Sequence, residues 1–198
     1  MKAQRYKTLI EEVAKRKPKT IVEIGTWRGI NAAKMINEAK KYNDKIKYYG
    51  FDLFDMPQDM KIEELHSKSN ATKKEAKSNI KQTGADFEII VGNTNQTLNG
   101  WEPEEPIDFV FIDGGHSIET IKNDWTGIRR VINKDTIVIF DDYYDNKTDV
   151  GAKQQVDFLE SYRFGKFKVF RVERLEPVDI FLKADLQIRL AKVYYDIR

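Results

Sequence analysis

Five short apolar runs, each stopping at a Gly or an Asp, set the rhythm of the chain. They are Ile21-Val22-Glu23-Ile24 before Gly25, Lys47-Tyr48-Tyr49-Gly50-Phe51 before Asp52, and Phe87-Glu88-Ile89-Ile90-Val91 before Gly92. Ile107-Asp108-Phe109-Val110-Phe111-Ile112 before Asp113 and Thr136-Ile137-Val138-Ile139-Phe140 before Asp141 complete the series. Nearly continuous apolar runs of this length fit strands covered on both faces, which is the condition of a parallel sheet beneath helices. Helix-like stretches separate them. Residues 1–17 place Tyr6, Leu9, Ile10 and Val13 on one face and stop at Pro18. Residues 30–42 follow the first strand, 118–132 follow the fourth with Ser117 in the N-cap position, and 150–162 follow the fifth. The alternation predicts a doubly wound α/β domain with helices on both faces.

The tail breaks the alternation. Residues 167–172 and 180–193 read as strands with no long helix between them, and Glu176-Pro177 reads as a turn, so the sheet is expected to close with an antiparallel element. Residues 56–84 are long, polar and Lys-rich, and read as a helical insertion over the strand ends. No composition shift marks a boundary, and 198 residues suit a single domain over 1–198, with an N-terminal helix over 1–19.

Composition narrows the chemistry. With no Cys, disulfides, thiolate metal sites and a Cys nucleophile are excluded. Residues 1–19 are charged throughout and lack the apolar stretch of a signal peptide, and no run suits a membrane span, so a cytoplasmic protein is expected. The N-terminal Lys excess reads as the solvent face of a helix, and nucleic acid is not the expected partner. Residues 51–150 carry 20 acidic against 11 basic side chains, and several of these acids fall at strand ends.

Strand ends are where ligands bind in an open α/β sheet. The first turn, Glu23-Ile24-Gly25-Thr26-Trp27-Arg28-Gly29, brackets its tip with two glycines but lacks the dinucleotide fingerprint, because Trp27 fills the middle position. Asp52, at the end of the second strand, can accept from a ribose diol or cap a helix. Turn and carboxylate together point to an adenosine-containing ligand. Asp141 and Asp142 read as oxygen ligands for a hard cation or as caps. His116 reads as a general base or as a structural residue of the turn, and His66 as a solvated helix position.

The stretch Phe111-Ile112-Asp113-Gly114-Gly115-His116-Ser117-Ile118-Glu119, with the 23–29 turn, Val91-Gly92-Asn93-Thr94 and Asp141-Asp142-Tyr143, carries a resemblance. Over residues 20–193 the chain resembles class I S-adenosylmethionine-dependent methyltransferases, in particular the subgroup of macrolide-sugar O-methyltransferases. The resemblance implies a Rossmann-like seven-stranded sheet with an antiparallel C-terminal hairpin. It implies that Glu23, Gly25 and Gly29 border the methionine part of the cofactor, that Thr26 and Trp27 of the same turn also bind the cofactor, that Asp52 holds the ribose, and that Asn93 lies by the adenine. Asp113 would lie at the cofactor and, with Asp141 and Asp142, match the carboxylates that hold Mg²⁺ in metal-dependent members. His116 would be the base, with Asp113 sharing that role. The expected reaction is O-methylation of a small hydroxylated acceptor such as a sugar or natural product. A metal-independent methyltransferase and a non-catalytic adenosyl-binding module are the alternatives. Residues 1–17 are expected to serve as a lid or a homodimer contact.

Overall fold

The computed structural model describes residues 2–54, 71–179 and 187–196. His66 and most of the 56–84 insertion lie outside them. Among the described residues no helix is long and apolar enough to cross a membrane.

The centre of the sheet is β1 (Thr20–Ile24), buried at all five positions. It pairs in parallel with β2 (Lys47–Asp52) on one side and β4 (Phe109–Ile112) on the other. β3 (Asp86–Val91) pairs outside β2, and β5 (Ile137–Tyr144) outside β4, both parallel. β10 (Gln187–Tyr195) then runs antiparallel between β5 and β8 (Phe170–Arg174), giving the order β3-β2-β1-β4-β5-β10-β8. The two-residue β9 (Val178–Asp179) also pairs with β10, and β6 (Arg163–Phe164) with β7 (Phe167–Lys168) forms a separate ribbon.

Period-two alternation sends neighbouring residues of each strand to opposite faces. Ile21 and Tyr48 pack with Leu9 and Val13 of α1 (Lys2–Arg16), Met35 and Ile36 of α2 (Ile30–Ala39), and Ala76 and Ile80 of α3 (Lys73–Lys81). Val22 and Ile24 pack with Leu98, which closes the short α4 (Thr94–Thr97), with Trp125 and Ile128 of α5 (Ile118–Ile128), and with Val156 and Leu159 of α6 (Lys153–Ser161). Ser117 caps α5, its side chain accepting from the Thr120 amide at 3.1 Å.

Several boundaries differ from the sequence reading, among them the strand expected over 167–172, which divides into β7 and β8, and one difference bears on the site. The strand expected to stop at Phe140 runs on to Tyr144, because β10 pairs Arg189 with Tyr143 and Ile188 with Tyr144 beyond a bulge. The bulge falls opposite Asp141 and Asp142, and Asp142 takes φ +52°, a left-handed conformation rare for a side chain larger than glycine. The two acids therefore belong to the strand end rather than to the loop after it.

Two polar features are built into the centre. Gly25 has φ +91°, and a Cβ there would lie 2.0 Å from the carbonyl oxygen of Asp113. Glu23 is buried and accepts a hydrogen bond from Tyr48 Oη of the neighbouring strand. Burial, reinforced by Asp52, pushes its carboxyl up to about 8 against the partial relief of the Tyr48 bond.

Gly25→Ala adds backbone strain to a collision with main chain and is expected to lose more than about 3 kcal/mol, or to fail to fold. Gly100 also has positive φ, but open space surrounds its missing Cβ, so Gly100→Ala is expected to lose only about 1 kcal/mol. Urea denaturation of the two variants checks the contrast. A carboxyl raised in the folded state adds stability that is complete below its ordinary value, 4.5, and is lost as pH rises through about 8. Wild-type stability should therefore fall relative to Glu23→Gln across that interval, as read from melting temperatures at stepped pH.

Candidate functional site

The chain leaves β1 toward β2 and β3 on one side and returns to β4 on the other, so a crevice opens beyond the carboxyl ends of β1 and β4. There the structure holds a cavity of about 260 Å³. Its walls come from the 23–27 turn, Phe51 to Phe54 after β2, Gly92 to Thr94 after β3, and Asp113 to Gly115 after β4. Tyr6 of α1 and Asn31 and Lys34 of α2 also reach it, as does the fully buried Asp124 of α5.

Asp52 organises one end. Its Oδ2 accepts from the Trp27 amide at 2.6 Å and its Oδ1 from the Phe54 amide at 3.0 Å. The first bond holds Trp27 at φ +47°, which lets the turn curl over the cavity without a glycine at that position. Gly50 makes room for Thr26, since a Cβ on Gly50 would lie 2.5 Å from the Thr26 hydroxyl. Asn93 caps α4, accepting from the Asn95 amide at 2.9 Å, and lines the cavity with Gly92.

Of the residues singled out from sequence, Glu23, Gly25, Thr26, Trp27, Asp52, Asn93 and Asp113 line this one cavity. His116, Asp141 and Asp142 are not among its lining residues, and neither is Gly29. Gly29 caps α2 at φ +72° and packs against α3, where a Cβ would lie 2.9 Å from the Ala76 carbonyl oxygen. The need for glycine at Gly25 also arises from chain packing, against Asp113. Tyr143 is buried in the core and donates to Asp157 at 2.9 Å.

The other end is acidic. Asp113, Asp141 and Asp142 line a small void of about 10 Å³ that shares Gly114 and Gly115 with the main cavity. His116 Nδ1 lies 2.5 Å from Asp142 Oδ2, and Tyr144 Oη donates to Asp142 Oδ1 at 3.2 Å. Burial pushes the Asp141 carboxyl well up, and the charges of Asp113 and Asp142 push it further, while Arg5 opposes them.

Two residues of this cluster escaped the sequence reading. Arg5 Nη1 lies 3.1 Å from Asp141 Oδ1 and 3.3 Å from Asp142 Oδ1. Tyr6 Oη donates to Asp113 Oδ2 at 3.1 Å. Tyr6 was legible as part of the apolar face of α1, but nothing local distinguishes Arg5 from the other basic residues around it. Burial alone would lower the Arg5 pKa, but Asp141 and its neighbours more than offset it and keep the guanidinium charged.

The cluster can be tested against a divalent ion. Magnesium needs several oxygens at about 2.0–2.1 Å and room for its waters. Here Arg5 Nη1 stands between Asp141 Oδ1 and Asp142 Oδ1, and Asp142 turns its other oxygen to His116. Among the described residues, no group of three or more His, Asp or Glu side chains has the arrangement of a metal site. As arranged, the three acids do not fit the ion.

The R132 protein of Acanthamoeba polyphaga mimivirus is 29% identical over 160 residues, which cover 78% of this chain and 65% of that protein. The chain thus spans just under two thirds of the curated relative's length. Among solved structures, the O-methyltransferase TomG of Streptomyces achromogenes, involved in tomaymycin synthesis and bound to S-adenosylmethionine, superposes with TM-score 0.69. That match has 14% identity and covers 98% of this chain and 80% of TomG. A Bacillus cereus O-methyltransferase in complex with S-adenosylhomocysteine gives TM-score 0.62 at 15% identity, covering 96% of this chain and 80% of that one. These two share the fold. A family model described as a methyltransferase domain matches residues 22–143. That span takes in every cavity-lining residue except Tyr6, and the chain belongs to the methyltransferase family.

Proposed function

We propose that the cavity binds S-adenosylmethionine and that the protein transfers its methyl group to a hydroxyl of a small molecule, such as a sugar or another natural product. The observation that carries this reading is the single cavity joining Asp52 and Asn93 at one end to Asp113 at the other, with the His116–Asp142 pair beside it. Asp52 has the chemistry to accept from a ribose diol, and Asn93 to meet the adenine. Asp113 suits the positively charged end of the cofactor, and Glu23 borders it as a buried hydrogen-bonding wall. When bound, S-adenosylmethionine supplies a methyl group made electrophilic by its sulfonium.

The chain must then align the acceptor and take its proton. A carboxylate can only accept, so the short contact between His116 Nδ1 and Asp142 Oδ2 assigns the ring proton to Nδ1. Nε2 would then be the ring atom to take the acceptor hydroxyl's proton as the new C–O bond formed and the S–CH3 bond of the cofactor broke, with S-adenosylhomocysteine as the leaving group and Asp142 stabilising the imidazolium. Asp113 is the second group positioned to share the base role. Holding the acceptor oxygen close to the methyl carbon contributes up to several kcal/mol through proximity. A magnesium-assisted version would require Arg5 to leave Asp141 and Asp142.

Titration calorimetry tests the binding step. Wild-type protein is expected to bind S-adenosylmethionine and S-adenosylhomocysteine, and Asp52→Asn to bind each at least about tenfold more weakly. A folded sample that binds neither at millimolar concentration would overturn the reading. Methyl transfer from labelled cofactor to a panel of polyhydroxylated compounds tests the base. His116→Gln is expected to lower kcat about 10²–10⁴-fold with cofactor affinity unchanged. Undiminished turnover in that variant would remove His116 from the mechanism.

A further inference from the structure

The acidic cluster contains its own cation, and the chain supplies it from a segment outside the family match. Asp141 and Asp142 are buried, and Asp113 ends the adjacent strand. Three carboxylates so placed repel one another, and burial denies them the water that would screen them. Among the described residues Asp141 Oδ2 is also buried without a hydrogen-bond partner, so the cluster holds more acceptor capacity than its neighbours satisfy.

Arg5 supplies positive charge to the cluster at Oδ1 of Asp141 and Oδ1 of Asp142, while Asp141 Oδ2 keeps no hydrogen-bond partner among the described residues. The Arg5 side chain is 10% exposed, and it makes both contacts through Nη1. Nη2 donates to Tyr6 Oη at 3.2 Å, and Tyr6 Oη donates to Asp113 Oδ2, so two consecutive residues of α1 engage all three acids. The helix that carries them is fastened at its far end. Arg16 Nη2 lies 3.2 Å from Asp108 Oδ1, and Glu12 Oε2 lies 3.1 Å from Lys192 Nζ of β10. Arg5 and Tyr6 both precede the span matched by the family model, residues 22–143, whereas the acids they engage fall within it. A guanidinium at 3.1 and 3.3 Å from two carboxylate oxygens and a metal ion on those same oxygens exclude each other.

We infer that Arg5 is the resident cation of this site, occupying the seat that a divalent ion would need, so that methyl transfer by this protein is independent of metal. The inference rests on the proposed function for its catalytic part only. Arg5 acts as a positioning residue: it bridges Asp141 and Asp142 and thereby fixes Asp142 as the partner of His116, while Tyr6 fixes Asp113.

The test uses Mn²⁺ as the probe, followed by electron paramagnetic resonance and by its effect on melting temperature, with the full chain as wild type, Arg5→Gln and Arg5→Lys. Wild type and Arg5→Lys are expected to show no saturable Mn²⁺ binding at millimolar ion. Arg5→Gln, with its acids uncovered, is expected to bind one Mn²⁺ and to gain melting temperature with it. Wild type binding Mn²⁺ as tightly as Arg5→Gln would overturn the inference. So would absence of binding by a folded Arg5→Gln, because the acids would then not form a cation seat. If Arg5→Gln does not fold, wild type and Arg5→Lys decide the matter: saturable binding by either one overturns the inference, and exclusion by both supports it. Turnover by wild type is expected to be unchanged in EDTA, and loss of turnover there would likewise overturn it. A protein that binds no S-adenosylmethionine yet excludes Mn²⁺ until Arg5 is replaced would refute the proposed function and leave the cation assignment standing.

Discussion

β1 and β4 approach each other so closely at their carboxyl ends that only a residue without a side chain fits between them. Gly25 sits against the Asp113 backbone, and the Asp113 amide donates to the Ile24 carbonyl at 2.8 Å. That contact joins the first turn to the fourth strand end, and the remaining geometry follows from it. It brings Asp113 to the cavity that Asp52 closes from the other side. It also fixes where β4 ends, and so where β5, paired beside it, carries Asp141 and Asp142. Glycine here provides close packing of two chain segments, and the cavity beside them is a consequence of that packing.

Concentrating acids at neighbouring strand ends has an electrostatic cost that must be offset locally. The fold does this in several ways. Glu23 sits where burial favours its protonated form, beside Tyr48. Asp52 is satisfied by two main-chain amides. The Asp141–Asp142 pair takes a guanidinium from α1, and Asp142 adds His116 and Tyr144. Burial acts on both Glu23 and Asp141, while main-chain amides satisfy Asp52 and an ion pair is added only at Asp141 and Asp142. The α1 helix is therefore more than a covering for the sheet, since it delivers the charge on which the acidic end depends.

Much of this was legible from the chain itself. The apolar runs that stop at Gly25, Asp52, Gly92 and Asp113 are strands, and the antiparallel close of the sheet follows from a tail without a long helix. Ser117 was legible as a cap because an N-cap is a local device. What the sequence did not reveal depends on distant partners. The extension of β5 past Phe140 requires β10 and its bulge, contributed from a segment more than forty residues later. The requirement for glycine at Gly29 comes from Ala76 on another helix. Arg5 finds Asp142 137 residues away, and no periodicity in α1 marks it out from other basic positions. Chemistry at strand ends can be read from residue types, but the counter-charges that stabilise it are set by packing.

A crystal structure of the full chain grown with S-adenosylhomocysteine in the presence of magnesium addresses the central claim most directly. The account predicts density for the nucleoside between Asp52 and Asn93, with the Arg5 guanidinium still seated on Asp141 and Asp142. Density for the nucleoside elsewhere, or a hydrated ion among Asp113, Asp141 and Asp142 with Arg5 displaced, would contradict it.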